Sequence, residues 1–194
     1  MKEVAKSVLQ SFLLLLTMTV ITGVIYPVAV TAVAQAVFKH QANGSLVRDA
    51  KGKVFGSELL GQQFSQDKYF YSRPSATGSY AYNAAGSCGS NLGPTNQDLL
   101  KLVRERTDKL RRNHPNADGK IPTDLVTASS SGLDPHISVE SAEFQIARVA
   151  NARGLGFALV KSMVQRETEP RQYNIFGEPR VNVLKLNLAL DKLK

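Results

Sequence analysis

Reactive and metal-binding side chains are scarce in this sequence. Cys88 is the only cysteine among 194 residues, so a disulfide within the chain and a metal site built on several cysteines are both excluded. The three histidines, His40, His114 and His136, are far apart, and none belongs to a paired helical motif such as H-E-x-x-H. We therefore expect neither zinc nor another directly bound metal.

Familiar catalytic patterns are missing as well. There is no G-x-S-x-G segment, and no base can be identified beside Cys88, which predicts a buried or neutral cysteine. The glycine-rich stretch 86–93 lacks the Lys-Ser/Thr ending of a phosphate-binding loop. Asp134 and His136 could form an acid–base pair, but Asp134-Pro135 is more economically the start of a turn. No catalytic residue is predicted.

Charge is absent over a long apolar stretch near the N-terminus. Residues 7–38 contain no Asp, Glu, Lys or Arg. The stretch is long enough to cross the hydrocarbon layer of about 30 Å as a helix. A cleavable signal peptide is the alternative, since Ala32-Val33-Ala34 resembles a cleavage site, but signal peptides have apolar regions of only roughly 7–15 residues. We predict a retained transmembrane anchor over residues 1–38 and one domain over residues 39–194.

Positive charge flanks both ends of the apolar stretch. Lys2 and Lys6 precede it and Lys39 follows it. The immediate flanks favour a cytoplasmic N-terminus, whereas a wider count that includes the basic residues from Arg48 onward would not. Long domains translocate largely regardless of their charge, so we give the close flanks more weight. This predicts that residues 39–194 form an extracytoplasmic, periplasmic-type domain.

Small residues define a candidate packing face on the anchor. Thr19 and Gly23 are spaced as a small-xxx-small pair, which lets two helix backbones approach closely in lipid. Pro27 removes one intrahelical hydrogen bond and is expected to kink the helix. Thr19, Gly23 and Pro27 are therefore candidates for packing against a partner. The alternative is that such residues are simply common in membrane helices.

The remainder of the chain predicts an α+β fold. A hairpin is expected over residues 45–55, followed by a long ordered loop over residues 61–95 whose aromatic residues supply apolar surface for packing. Helix caps and apolar periodicity predict four helices, over residues 97–112, 139–153, 157–165 and 181–193. The last helix has a strand as its alternative, because leucine alternates at positions 184, 186, 188 and 190.

Basic residues exceed acidic ones outside the anchor. Two of the 24 basic and one of the 16 acidic residues precede residue 39, which leaves 22 against 15 and a formal charge of +7. The outward face of the first predicted helix of the domain carries Lys101, Arg104, Arg106, Lys109, Arg111 and Arg112. Glu105 with Lys109 and Asp108 with Arg112 are spaced for stabilising ion pairs. A solvated, self-paired face explains this charge better than a surface for nucleic acid, and no nucleic acid partner is predicted.

Several strings occur together and in order along nearly the whole chain. They are Thr22-Gly23-Val24-Ile25-Tyr26-Pro27, Gln41-Ala42-Asn43-Gly44-Ser45-Leu46, Arg73-Pro74-Ser75-Ala76-Thr77, Gly89-Ser90-Asn91-Leu92-Gly93, Asp124-Leu125-Val126-Thr127-Ala128-Ser129, Gln145 with Arg148-Val149-Ala150, and Leu186-Asn187-Leu188-Ala189-Leu190-Asp191. Each string alone is weak, but their combination is specific. In these strings the chain resembles the C subunit of the Kdp-type potassium-transporting P-type ATPase.

The resemblance implies a noncatalytic subunit of an ATP-driven, high-affinity potassium import complex in the cell (inner) membrane. Its implied partners are a channel-like potassium-translocating subunit, the P-type ATPase catalytic subunit, a small membrane subunit and the lipid bilayer. The implied role is to aid assembly and stability and to raise the ATP affinity of the ATPase subunit. ATP and potassium then belong to the complex, and no cofactor is expected on this chain. The alternative functions are a membrane-anchored extracytoplasmic hydrolase and a binding module.

Two groups of residues in the domain are candidates for direct contacts. Within the resembling family, the segment containing Ser129, Ser131 and Gly132 has been likened to a nucleotide-binding signature, which makes these residues weak nucleotide candidates. We also hypothesise that the part of the ordered loop from Tyr69 to Thr95 holds the outer mouth of the channel subunit, with Arg73 and Asn91 as polar anchors. The alternative for Arg73 and Asn91 is that they only fix the loop internally.

Overall fold

The structure is a computed structural model that describes residues 1–49, 51–115 and 119–193. The chain divides into two compact units, Met1–Leu46 and Val47–Lys194. The first contains one long apolar helix, and the second is a mixed α and β domain with small sheets. The predicted α+β class with one N-terminal apolar helix is confirmed. The domain boundary between residues 38 and 39 stays a prediction.

The first unit is an apolar helical stretch, Lys2–Val37, that is long and apolar enough to cross a membrane. None of its residues is buried by the rest of the chain. Its helical segments are α1 (Lys2–Val20), a π-helical turn (Ile21–Ile25) and α2 (Tyr26–Val37), followed by the short α3 (Lys39–Ala42). The π-helical turn directly precedes the segment that begins with Tyr26-Pro27, where a regular α-helix would set the proline ring against a carbonyl one turn earlier.

The predicted hairpin is formed by β1 (Leu46–Arg48) and β2 (Val54–Ser57). Asp49 closes its turn, because the Asp49 carboxylate accepts hydrogen bonds from the backbone N–H groups of Lys51 and Lys53, both at 2.8 Å. Ala50, within the range of the predicted hairpin, lies outside the described residues.

The second unit has four described helices, α4 (Gln97–Asn113), α5 (Val139–Arg153), α6 (Phe157–Arg166) and α7 (Val183–Asp191). Three of them begin after a polar residue whose side chain caps them, whereas α6 begins after Gly156 without a side-chain cap. The Asn96 side chain accepts from the Asp98 N–H, and the Ser138 hydroxyl accepts from the Ser141 N–H. Such caps satisfy backbone donors that have no partner inside the helix.

A three-stranded antiparallel sheet is formed by β3 (His136–Ser138), β4 (Thr168–Glu169) and β5 (Arg180–Asn182). The strand β5 lies in the centre, with Val181 opposite Ile137 on one side and Thr168 on the other. The helix predicted over residues 181–193 begins only at Val183, because the residues just before it belong to the strand β5. The chain is extended up to Asn182, whose side chain then caps α7 by accepting from the Lys185 N–H.

The core of the domain lies between the sheet and the helices α5, α6 and α7. Its buried members are Phe70, Ile137, Ala142, Ile146, Val149, Ala150, Val160, Met163, Val164, Val181, Val183, Leu186 and Leu190. A smaller cluster of Leu110, Leu125 and Val126 lies under α4. All but one of the residues in the larger cluster come from strands or helices. The exception, Phe70, belongs to the long loop and is completely buried.

The surface of α4 differs from its prediction. Within the described residues, neither Glu105 with Lys109 nor Asp108 with Arg112 forms an ion pair. Arg106, expected on the solvated face, is half-buried, and its Nη1 donates to the Val126 carbonyl at 2.8 Å. Sequence spacing permits an ion pair, but it does not show how a helix is rotated against its neighbours.

Candidate functional site

The long loop over residues 61–95 is held in place by two buried side-chain amides. The Asn187 amide accepts from the Phe70 N–H at 2.8 Å and donates to the Phe70 carbonyl at 3.0 Å. The Gln145 amide accepts from the Tyr71 N–H at 2.8 Å and donates to the Tyr71 carbonyl at 3.2 Å. Each amide therefore replaces the partner that a neighbouring strand would supply, and the loop is ordered as predicted.

The buried guanidinium of Arg148 supports the same part of the loop. Its Nη1 donates to the carbonyls of Asp67 and Tyr69, and its Nη2 donates to the Gln145 amide oxygen at 2.8 Å. The guanidinium also lies over the Tyr71 ring, 3.8 Å from the ring centre. Arg148 is only 8% exposed, so these contacts replace the water that the charge would otherwise require.

His114 completes the network around Arg148. The Arg148 Nε donates to His114 Nε2 at 2.9 Å, and the other ring nitrogen, Nδ1, lies 2.9 Å from the Leu110 carbonyl. Because Nε2 accepts, the ring is neutral with its proton on Nδ1. Burial, and then the charge of Arg148, lower the pKa of His114, against the Leu110 hydrogen bond and the charge of Asp67, which raise it. The buried imidazole is thus an acceptor only while it is uncharged.

Arg73, one of the two predicted anchors, points into the domain. Its Nη1 forms an ion pair with the Asp134 carboxylate at 3.2 Å, and its backbone carbonyl accepts from the Tyr82 hydroxyl at 2.5 Å. Burial raises the pKa of Asp134, but hydrogen bonds from His136 and the charge of Arg73 outweigh it and leave the pKa below its usual value. The His136 N–H donates to the Asp134 carboxylate at 2.9 Å, which confirms a turn at this position.

Asn91 and Cys88 lie at the exposed end of the same loop. Asn91 is exposed and has a φ of 52°, a left-handed conformation that Asn tolerates better than most residues. Cys88 was expected to be either buried or neutral, and the first of these alternatives is wrong, because Cys88 is exposed. Its Sγ lies 3.3 Å from the Ala76 carbonyl. A glycine-rich loop supplies little side-chain volume to cover a small residue.

The nucleotide candidates Ser129, Ser131 and Gly132 pack against the loop. Ser129 is buried, and the Ser131 hydroxyl accepts from the backbone N–H two residues later. Gly132 has a φ of 68°, and a Cβ atom there would lie 2.6 Å from a Thr77 methyl carbon and 2.7 Å from the Cys88 carbonyl oxygen. The space beside Gly132 is therefore filled by protein, and only glycine fits there.

The candidate packing residues of the anchor are exposed in the chain by itself. The Thr19 hydroxyl donates to the Leu15 carbonyl at 2.8 Å, so it is occupied within the helix. Gly23 lies in the π-helical turn, and a Cβ atom there would meet nothing within 4 Å. Pro27 is in the first turn of α2. Among residues 1–49, 51–115 and 119–193, no neighbour restricts the size of residue 23.

No group of three or more His, Cys, Asp or Glu side chains in residues 1–49, 51–115 and 119–193 has the arrangement of a metal site. The residues that do converge are Gln145, Arg148, Asn187 and His114, to which the sequence analysis assigned no role. An available signal was the position of Gln145, a polar residue next to Ile146 on the apolar stripe of a helix. A polar residue at such a position needs a buried hydrogen-bond partner.

Comparison with known proteins gives consistent matches over the whole chain. The family model for KdpC, "K+-transporting ATPase, c chain", matches residues 8–192. A KdpC subunit of Methylococcus capsulatus is 55% identical over 184 residues, which cover 95% of this chain and 96% of that protein. The KdpC subunit of Geobacter sulfurreducens is 53% identical over 188 residues, covering 97% and 98%. That of Dechloromonas aromatica is 51% identical over 194 residues, covering 100% and 99%.

Proposed function

Because the chain belongs to the KdpC family, the c chains of K+-transporting ATPases, we propose that it supports assembly and stability of that complex from the outer side of the membrane. It is an accessory subunit and not the catalytic one. The proposed partners are the channel-like potassium-translocating subunit, the P-type ATPase catalytic subunit and a small membrane subunit. ATP and potassium are handled at the level of the complex.

The exposed apolar helix is the observation that carries this proposal. A helix that is apolar all round is stable only where lipid or other protein covers it. No residue of the Lys2–Val37 stretch is buried in the part of the chain that the structure describes, whereas the domain after it has a core of its own. This combination of an exposed apolar helix and a separately folded domain suits a subunit that is anchored beside membrane-spanning partners and presents the domain to them.

Cys88 provides a direct test of the proposed orientation. As the only cysteine, and an exposed one, it reacts with a membrane-impermeant maleimide only on the side where the domain lies. We expect labelling of Cys88 in right-side-out vesicles without permeabilisation. In the matched control, Cys88→Ser combined with Ser7→Cys, labelling should occur only in inside-out vesicles. The reverse pattern in both chains would place the domain in the cytoplasm.

The loop is proposed to hold the outer mouth of the channel subunit. In support, Arg73 ties the loop to Asp134, while Asn91 at its exposed end is free to meet a partner. A net charge of +7 opposes the alternative in which the domain attracts potassium electrostatically, since a cation is concentrated by negative potential. The loop is thus proposed to hold a partner subunit and not to concentrate potassium.

Substitutions on both sides of the Arg73–Asp134 pair test the role of the loop. We expect Arg73→Ala to lower the yield of intact complex and its potassium-stimulated ATPase activity, while Lys101→Ala on an exposed helix face changes neither. Asp134→Asn separates the two possible reasons. Equal losses for Arg73→Ala and Asp134→Asn indicate internal bracing, and a larger loss for Arg73→Ala indicates a partner contact. Unchanged yield and activity with Arg73→Ala in a folded domain would contradict the role at this residue.

An effect on ATP affinity is proposed to be allosteric. In the proposed topology, cytoplasmic ATP and the domain lie on opposite sides of the bilayer, so any influence must pass through the anchor and the neighbouring subunits. The filled space beside Gly132 supports this reading, because a phosphate group needs open backbone N–H groups. Photolabelling of the detergent-purified chain with azido-ATP should therefore give no product near Ser129. A specific, ATP-competed product there would contradict it.

A further inference from the structure

A cavity of about 390 Å³ lies between the long loop and α4, and its walls carry cations. Arg73 and Tyr71 lie on the loop side, and Arg106 and Lys109 lie on the helix side. Asp67 is the one acidic residue among the described residues that line it, and its carboxylate already accepts from the Tyr71 hydroxyl at 2.8 Å. The cavity is therefore electropositive and lined in part by aromatic rings.

Arg106 and Lys109 have no carboxylate within ion-pair distance among the described residues. Arg106 is half-buried, and of its five N–H groups one has a protein acceptor in the described part of the chain, the Val126 carbonyl. Burial lowers the pKa of the Arg106 guanidinium, although the charge of Glu105 raises it. A partly buried cation without a counter-charge is unfavourable unless an anion arrives from elsewhere.

The spacing of the two cations strengthens this argument. Residues three apart lie on the same side of a helix, so Arg106 and Lys109 repel each other where they face the cavity. One carboxylate placed between them would turn that repulsion into two attractive contacts. A guanidinium binds a carboxylate through two parallel N–H groups, which also sets the direction of approach.

We propose that this cavity is a docking site for an acidic segment of a partner subunit, one carboxylate of which pairs with Arg106 and Lys109. The cavity is several times larger than a single carboxylate and has apolar walls at Phe64, Leu110 and Leu125, so a neighbouring apolar side chain of the same segment fits beside the acid. The proposal rests on the proposed function, since it requires that the chain assembles with other subunits.

A pair of matched double variants tests the site in the assembled complex. Arg106→Gln with Lys109→Gln removes two charges from the cavity, and Lys101→Gln with Arg104→Gln removes two exposed charges from the same helix. We expect the cavity variant, isolated through a tag on this chain, to lose its partner subunits at a NaCl concentration at least threefold lower than the control variant. Equal salt dependence of the two complexes overturns the docking site.

Two further arms exclude simpler explanations. Lys109→Glu reverses an exposed charge without touching the Arg106–Val126 bond, so it should weaken the complex without lowering the unfolding midpoint of the chain. A photocrosslinking amino acid at Ser72, on the cavity wall, should capture a partner peptide that contains Asp or Glu. Capture of lipid or of no subunit at all overturns the proposal. Failure of the unmodified chain to bring down any subunit at low salt would instead contradict the proposed function.

Discussion

The two units of this chain obtain their stability from different sources. The unit Met1–Leu46 is a helix whose apolar side chains are exposed along its length, whereas the unit from Val47 onward buries its own apolar residues and its own polar network. A substitution in the second unit is therefore felt in the folding of the chain itself. A substitution in the first unit is felt only through lipid or through partners. The comparison predicts opposite outcomes for chemically similar changes.

The largest expected effect separates the units by an identical change. Leu186→Ala removes a completely buried side chain and should lower the free energy of unfolding of the domain by about 2–5 kcal/mol. Leu14→Ala, at an exposed position of the apolar helix, should change it by less than about 0.5 kcal/mol. Urea unfolding in detergent, followed by tyrosine fluorescence, measures both. Similar losses for the two variants would break the comparison.

Removing one of the buried side-chain amides should cause the second-largest loss in the free energy of unfolding. Asn187→Ala leaves the N–H and the carbonyl of Phe70 buried without partners, at an expected cost of about 2–3 kcal/mol. Asn151→Ala, at an exposed position on α5, is the matched control and should have little effect. Hydrogen exchange adds a local measurement, because the Phe70 amide should lose protection in the first variant alone. Retained protection would mean that the loop has another support.

Gly23→Leu tests whether the apolar helix contributes to association with partners and not to folding of the domain. A larger side chain meets nothing at residue 23 within the chain, so the unfolding of the domain should not change. Association with partner subunits in mild detergent should weaken roughly tenfold, about 1.4 kcal/mol, if a second helix packs closely at this glycine. Leu14→Ala should weaken it less. Equal co-purification yields would leave the helix as a tether without a specific packing face.

The smallest effect concerns pH and belongs to the domain alone. His114 has a lowered pKa in the folded chain, so the unfolded chain binds more protons between the folded pKa and about 6.5. The stability due to neutral His114 is therefore complete above about pH 6.5 and is lost as the pH falls through that value towards the folded pKa. Raising the pH from 5.5 to 7.5 should therefore stabilise the native chain against unfolding by more than it stabilises His114→Gln, as denaturant unfolding at the two pH values measures. Equal differences for the native chain and His114→Gln would contradict this prediction.

Local sequence rules predicted most of the secondary structure. The helices α4 and α5 begin at the predicted residues 97 and 139, where Asn96 and Ser138 cap them, and Gly154, with a φ of 65°, ends α5. The same rules did not distinguish a helix from a strand after residue 181, because the leucine spacing there fits the periodicity of both. Tertiary hydrogen bonds determine where the strand ends and the helix begins. The strand β5 pairs with β3 and β4, and the Asn182 side chain then caps α7.

The candidate site was less accessible from the sequence. The aromatic residues of the long loop indicated that it is ordered. The side chains that support it, Gln145 and Asn187, lie 74 and 117 residues along the chain from the backbone groups that they bind. Nothing in local periodicity reveals a contact of that separation. The ion pairs predicted on α4 failed for a related reason, because helical spacing does not include the rotation of the helix against the core.

The sequence by itself determined the uncharged apolar helix, the positions of most helices and, through its combined strings, the family. These properties depend on neighbours in the chain, on hydrophobicity and on total composition, which the order of residues contains. Tertiary structure alone decided that Arg148 is buried against His114, that Gly132 is enclosed by Thr77 and Cys88, and that Arg106 and Lys109 share a cavity. Such contacts form between distant segments whose side-chain directions are set only when the core packs.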